Sequence, residues 1–143
     1  MRVRVRMGLL WASAIMAEIL AGSVSPQTAT AANTVSAQPA ITRRILQSVE
    51  VPGSTYQVIE AQVEIAANTH VPRHTHPGTV VGYVLAGDYS IRLNGQPAKL
   101  VAPGESFVVP SGIIHEEFAG PHAAKVLAVF TVEKDKPLSS PAP

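Results

Sequence analysis

The sequence predicts a single all-β domain, a β-sandwich or barrel of the jelly-roll kind. Three observations lead there. Short strand-like runs follow one another with turn signals at close spacing, no stretch sustains a helical period, and 143 residues suffice for one buried core but not for two.

The elements follow in order. Tyr56 to Ile65 and Val81 to Leu85 read as strands, and Ala86-Gly87-Asp88 turns the chain into a third run, Tyr89 to Leu93. Asn94-Gly95 is the sharpest hairpin signal, because both residues tolerate the positive φ of a tight hairpin turn. Pro97, which has no N–H for a ladder, marks the returning strand as an edge. Pro103-Gly104 and Pro110-Ser111-Gly112 bracket the short apolar run Phe107 to Val109, and Lys125 to Val132 forms a last, largely buried strand. The domain is therefore expected over residues 41–133.

What lies outside that span has a different character. Arg2, Arg4 and Arg6 precede an apolar run from Met7 to Ala17 and a small-residue stretch ending in Ala29-Thr30-Ala31, the order of a secretory signal peptide over residues 1–31. Glu18 is atypical of such a segment, and an amphipathic or uncleaved membrane anchor is the alternative reading. The apolar run is too short to cross a bilayer, so no stable membrane span is expected after processing, and the protein is expected to be exported, periplasmic or secreted. Residues 32–40 lack an apolar period and read as a flexible linker; residues 134–143 are polar and broken by proline, and read as a flexible tail.

Composition narrows the function. Apolar residues make up 46% of the chain against 15% charged, so a compact interior is expected. The net charge of +1 comes from the N-terminal arginines: processing after residue 31 removes three of eleven basic and one of ten acidic residues, leaving eight against nine. A near-neutral domain has no basic footprint for nucleic acid. Cysteine is absent, which removes disulfides, thiolate metal sites and thiol nucleophiles together, so any metal must be held by nitrogen and oxygen. The serines have no nucleophile turn and no adjacent histidine and acid, so hydrolysis by a serine triad has no support.

The histidines carry the strongest chemical signal. His74 and His76 are two apart, and in extended chain such residues project to one face, so both imidazoles can reach one point. Imidazole is the commonest neutral ligand for transition metals. His115 follows the Pro110-Ser111-Gly112 turn and is the third candidate; His70 and His122, in turn-rich stretches, read as surface residues.

These residues resemble the two motifs of the cupin superfamily, in particular the small single-domain bacterial members. The first motif runs Gly, five residues, His-x-His, three or four residues, Glu, six residues, Gly; the second runs Gly, five residues, Pro-x-Gly, two residues, His, three residues, Asn. His74, His76 and Gly87 fall in register with the first, and Gly104, Pro110, Gly112 and His115 with the second. The resemblance extends from about Tyr56 to Val132 and implies a jelly-roll β-barrel with His74, His76 and His115 on one divalent transition metal: iron, manganese, nickel, copper or zinc. Three departures stand out. Asn68 replaces the first Gly, a tolerable change because Asn also visits the left-handed region; Val80 replaces the ligand Glu; Ala119 replaces the final Asn.

Without the carboxylate, three neutral imidazoles would leave the metal its full charge and open positions for an anionic ligand. A decayed site that binds nothing tightly is the opposing reading. Glu117, on the same strand face as His115, is the candidate for a surrogate ligand or general base, against the plainer reading of a rim carboxylate pointing to water; Glu116 points the other way. Glu64 and Arg92 read as outward charges, and Tyr83, Phe107 and Phe118 as core aromatics, with Tyr83 also placed for the barrel mouth. The resemblance implies a metal-dependent dioxygenase, isomerase or decarboxylase acting on a small organic substrate. A non-catalytic module that stores metal or senses a small ligand is the competing function. The expected partner is a small molecule, with a homodimer left open.

Overall fold

A computed structural model describes residues 39–143, which form two antiparallel five-stranded sheets packed as a cupin-type jelly roll. The expected signal peptide and almost all of the linker lie outside the described residues. The strands are β1 (Ile41–Glu50), β2 (Tyr56–Ile65), β3 (His70–Thr75), β4 (Gly78–Ala86), β5 (Tyr89–Leu93), β6 (Lys99–Val101), β7 (Ser106–Val109), β8 (His115–Ala119), β9 (Ala124–Glu133) and β10 (Ser140–Pro141). One sheet has the order β1-β2-β9-β4-β7 and the other β10-β3-β8-β5-β6.

Alternation along the strands builds the interior. On β9 the side chains of Ala124, Val126, Ala128, Phe130 and Val132 are buried while those between them are half-buried or exposed, the period of two that one covered face requires. On β4, Val80 and Val84 point inward and Val81, Tyr83 and Leu85 outward. Tyr89, Ile91, Val101 and Ala119 close the core from the smaller sheet. Each fully buried Val or Ile contributes about 1.5–3 kcal/mol relative to exposure. Gly82 is inside the wall for a steric reason: a Cβ there would lie 2.1 Å from the Phe107 ring, which occupies that space.

The turns adopt the backbone their residues favour. Gly87, Gly104 and Gly112 have φ of 84°, 90° and 70°, and Asn68, standing where the motif has glycine, has φ of 56°. β6 is the edge of its sheet, as Pro97 implies.

Three expectations change. Residues 134–143 are not a free tail: Ser140 and Pro141 pair with Thr75 and His74, and the Ala142 N–H donates to the Arg73 carbonyl at 3.0 Å. The pairing uses backbone groups, so a short polar, proline-containing segment can make it without any side-chain pattern. Tyr83 is 46% exposed on the outer face, because Gly82 and Val84 take the inward positions on either side. Phe118 is half-buried on the outer face of the smaller sheet, stacked under His70 at 4.6 Å, because its neighbours Glu117 and Ala119 take the inward direction. Phe107 is a core aromatic as expected.

Candidate metal centre

Two adjacent strands and one turn bring the three motif histidines together. His74 is the last residue but one of β3 and pairs directly with His115 at the start of β8; His76 follows in the turn to β4. Their ring centroids lie 4.1 Å (His74–His115), 4.9 Å (His74–His76) and 5.0 Å (His76–His115) apart. All three are buried, at 8%, 5% and 2% exposure, and one ligand nitrogen from each falls within 4.8 Å of the others. Burial of three polar rings is costly unless each finds a partner.

Each ring does, and with the same kind of group. Nδ1 of His74 meets the Pro72 carbonyl at 2.8 Å, Nδ1 of His76 the Leu138 carbonyl at 2.5 Å, and Nδ1 of His115 the Ile113 carbonyl at 3.1 Å. A carbonyl can only accept, so each Nδ1 carries the proton and donates, and each Nε2 is left with a free lone pair. Fixing the tautomer through the remote nitrogen is how metal-binding imidazoles are ordinarily held. Burial holds His115 below the usual imidazole pKa, and burial, followed by the neighbouring His74 and His115 and then Arg43, pushes His76 down to about 4. His76 is thus neutral at physiological pH, the form that binds metal. The donor set fits a divalent transition metal with nitrogen preference, held by three side chains with positions left open.

The centre opens into a cavity of about 400 Å³ between the sheets. Its walls are apolar, with Val63, Val71, Val80, Val109, Val126 and Phe130 among them. Val80, where the motif has a ligand Glu, faces this cavity and is 4% exposed, so the missing carboxylate leaves an apolar surface next to the histidines. Glu117 also lines the cavity, in the direction its alternation with Glu116 implies. It stands outside the group of converging ligand atoms, and its Oε1 accepts from the buried Tyr89 hydroxyl at 2.8 Å. Burial first, and then the Glu117 charge, raise the Tyr89 pKa, so the phenol stays protonated and donating.

The remaining histidines stand apart. His70 Nε2 lies 2.8 Å from Glu116, which also accepts from Arg92 at 3.0 Å; His122 Nδ1 lies 2.8 Å from Asp88. Both histidines are exposed, and their carboxylate partners are half-buried. Glu64 is paired outward with Lys125 at 2.9 Å.

Two parts of the site escape the sequence pattern. Arg43 lines the cavity from β1, and Leu138, Ser139 and Pro141 bring the C-terminal segment to its rim. The first depends on the pairing of β1 with β2 and the second on backbone contacts, neither of which leaves a local signature.

The comparisons agree with this architecture. Residues 61–130, just under half of the chain, match the cupin domain. Among curated proteins the chain is similar to germin-like protein 4-1 of Oryza sativa subsp. japonica, 35% identical over 94 residues that cover 58% of this chain and 37% of that protein. It is also similar to the rhicadhesin receptor of Pisum sativum, 36% identical over 87 residues covering 56% and 40%. The chain thus matches about two fifths of the length of these relatives. Among solved structures, the DMSP lyase DddQ of Ruegeria pomeroyi DSS-3 superposes with a TM-score of 0.61 at 20% identity, covering 71% of this chain and 51% of that one, a likeness of fold. The polyketide cyclase RemF of Streptomyces resistomycificus superposes with a TM-score of 0.56 at 27% identity, covering 68% and 69%.

Proposed function

We propose that the chain is a cupin that holds one divalent transition metal on His74, His76 and His115, and that it is a metal-dependent enzyme acting on a small organic substrate in an oxygenase-like reaction. One observation carries the metal reading: three buried imidazoles donate Nδ1–H to backbone carbonyls, so three lone pairs converge. The metal would supply Lewis acidity and a site for an anionic donor of the substrate.

The chain's own residues favour catalysis over storage. Glu117 is a carboxylate inside the cavity, its Oε1 fixed by Tyr89, and its other oxygen is free to take a proton from a bound ligand. A storage site gains nothing from such a base. The apolar walls keep bulk water away from the open side and strengthen each charge interaction there. A non-catalytic binding module is the second reading, favoured by the number of Val side chains around the histidines.

Iron or manganese in protein purified from its native host would support oxygenase-like chemistry. With that metal loaded, Glu117→Gln should lower turnover of an accepted substrate far more than its binding. No bound metal in the native protein would contradict the reading. We also propose export: the order of residues 1–31 supports a mature chain beginning near Ala32, periplasmic or secreted, and full-length protein recovered from the cytosol would refute it.

A further inference from the structure

Arg43 is an arginine on the wrong face of its strand for a solvent charge. The β1–β2 register pairs Arg43 with Val63, and Val63 in turn pairs with the buried Val126 on β9, so all three belong to the inner row of the larger sheet. The neighbouring inner rows are Ile41 with Ile65 and Ile45 with Ala61, both apolar. One cation thus interrupts an apolar face at the cavity, while the next residue, Arg44, takes the outer side and bonds Gln62 at 3.4 Å.

The guanidinium is placed but not neutralised. It lies 5.7 Å over the Phe130 ring, and that ring meets the His76 ring edge-on at 5.2 Å, so a single aromatic separates it from the three-histidine cluster. Among the described residues no carboxylate lies within ion-pair distance of it. The other arginine at the cavity, Arg73, donates to the Asn94 side chain at 3.2 Å and is engaged elsewhere. The cavity's carboxylate, Glu117, accepts through Oε1 from Tyr89 and makes no ion pair with Arg43. Two arginines, Arg43 and Arg73, against the one carboxylate of Glu117 leave the cavity lining with an excess of positive charge, a field that selects an anion.

We propose that Arg43 is the anion anchor of this cavity and that the ligand admitted is a small organic carboxylate with an apolar body. The carboxylate sits on the guanidinium fork, the body lies against Phe130 and Val63, and a second oxygen or nitrogen donor points toward the histidines. Only that second donor rests on the metal reading; the anchor itself does not. A volume of about 400 Å³ restricts the ligand to the lower part of the usual small-molecule range.

Calorimetric titration with benzoate and its neutral counterpart benzamide, on cobalt(II)-loaded and on metal-free protein, tests this. Arg43 is exposed at the cavity mouth, and the loaded protein should bind benzoate about tenfold more tightly than benzamide, the scale of a charge-assisted pair. Arg43→Gln should weaken benzoate about tenfold while leaving benzamide affinity unchanged. Arg43→Lys should recover part of the loss, and Arg44→Gln, on the outer side of the same strand, should behave as wild type. Equal benzoate affinity in wild type and Arg43→Gln, or benzoate binding to neither form, overturns the proposal. Unchanged benzoate affinity accompanied by new self-association would instead assign Arg43 to guarding the exposed β1 edge, as inward charges on edge strands do. Failure of the metal reading looks different: cobalt(II) does not bind, yet metal-free protein still holds benzoate in an Arg43-dependent way.

Discussion

His70 and His74 lie four residues apart on β3, and their fates are opposite. His70 faces solvent, stacked on Phe118 and paired with Glu116; His74 is buried and donates to a backbone carbonyl. The same division runs through β8, where His115 turns inward and Glu116 outward. A carboxylate partner ties the ring into a surface pair, whereas a backbone carbonyl that accepts from Nδ1 leaves Nε2 with a free lone pair. Which group meets the ring, and through which nitrogen, separates a candidate ligand from a surface residue: His70 uses its Nε2 on Glu116, whereas His74 uses Nδ1 on a carbonyl and keeps Nε2. His76 shows how far this reaches, since its carbonyl comes from Leu138, 62 positions along the chain.

Removing single rings should give the largest effect. His74→Ala, His76→Ala and His115→Ala are each expected to weaken cobalt(II) binding by about a hundredfold or more, strongly non-additively when combined, whereas His70→Ala and His122→Ala stay within about twofold by calorimetry. Loss of metal in the His70 variant would erase the distinction between the two classes.

Val80→Glu should move an apolar wall toward the ligand class. In metal-free protein the buried carboxylate should cost roughly 3 kcal/mol of unfolding free energy in denaturant titration, and metal should restore much of it by accepting a fourth protein ligand. Metal affinity is expected to rise about tenfold while any activity that needs the open position falls. An unchanged affinity in folded protein would mean that Val80 faces the cavity but not the ion.

Truncation before Leu138 removes the carbonyl that holds the His76 ring and should weaken metal binding by about tenfold, the usual scale for such outer partners. The acid side of the comparison is smaller. His76 titrates near 4 when folded and near 6.5 when not, so the unfolded chain takes up the proton first. Stability of the metal-free protein is therefore full above about 6.5 and lost as pH falls toward 4, visible as a falling melting temperature that His76→Gln flattens. Smallest of all is Glu116→Gln. Hydrogen bonding to His70, then to Arg92, holds this carboxyl below its ordinary range, but the exposed pair is screened, and metal affinity should not change.

Much of this was legible in the sequence because it is written locally. The alternation of Tyr56 to Ile65, the Asn94-Gly95 turn, the left-handed backbone at Gly87, Gly104 and Asn68, and the spacing of the three histidines all depend on residues near one another in the chain. The parts that were not legible depend on pairing. Arg43 faces the cavity because β1 registers on β2 with Arg43 opposite Val63; ten residues of mostly exposed edge strand carry no apolar period to announce it. The C-terminal segment contributes a carbonyl and a two-residue ladder, which any sequence could supply.

Of the five histidines, three, His74, His76 and His115, would present bare Nε2 atoms to one ion. Long-range proton–nitrogen NMR of histidine-labelled protein, before and after adding one equivalent of zinc(II), reads this directly. His74, His76 and His115 should carry a proton on Nδ1 before addition, and their Nε2 resonances alone should move on metal binding while His70 and His122 stay in place. A proton found on Nε2 of any of the three, or a response from fewer than three, would contradict it.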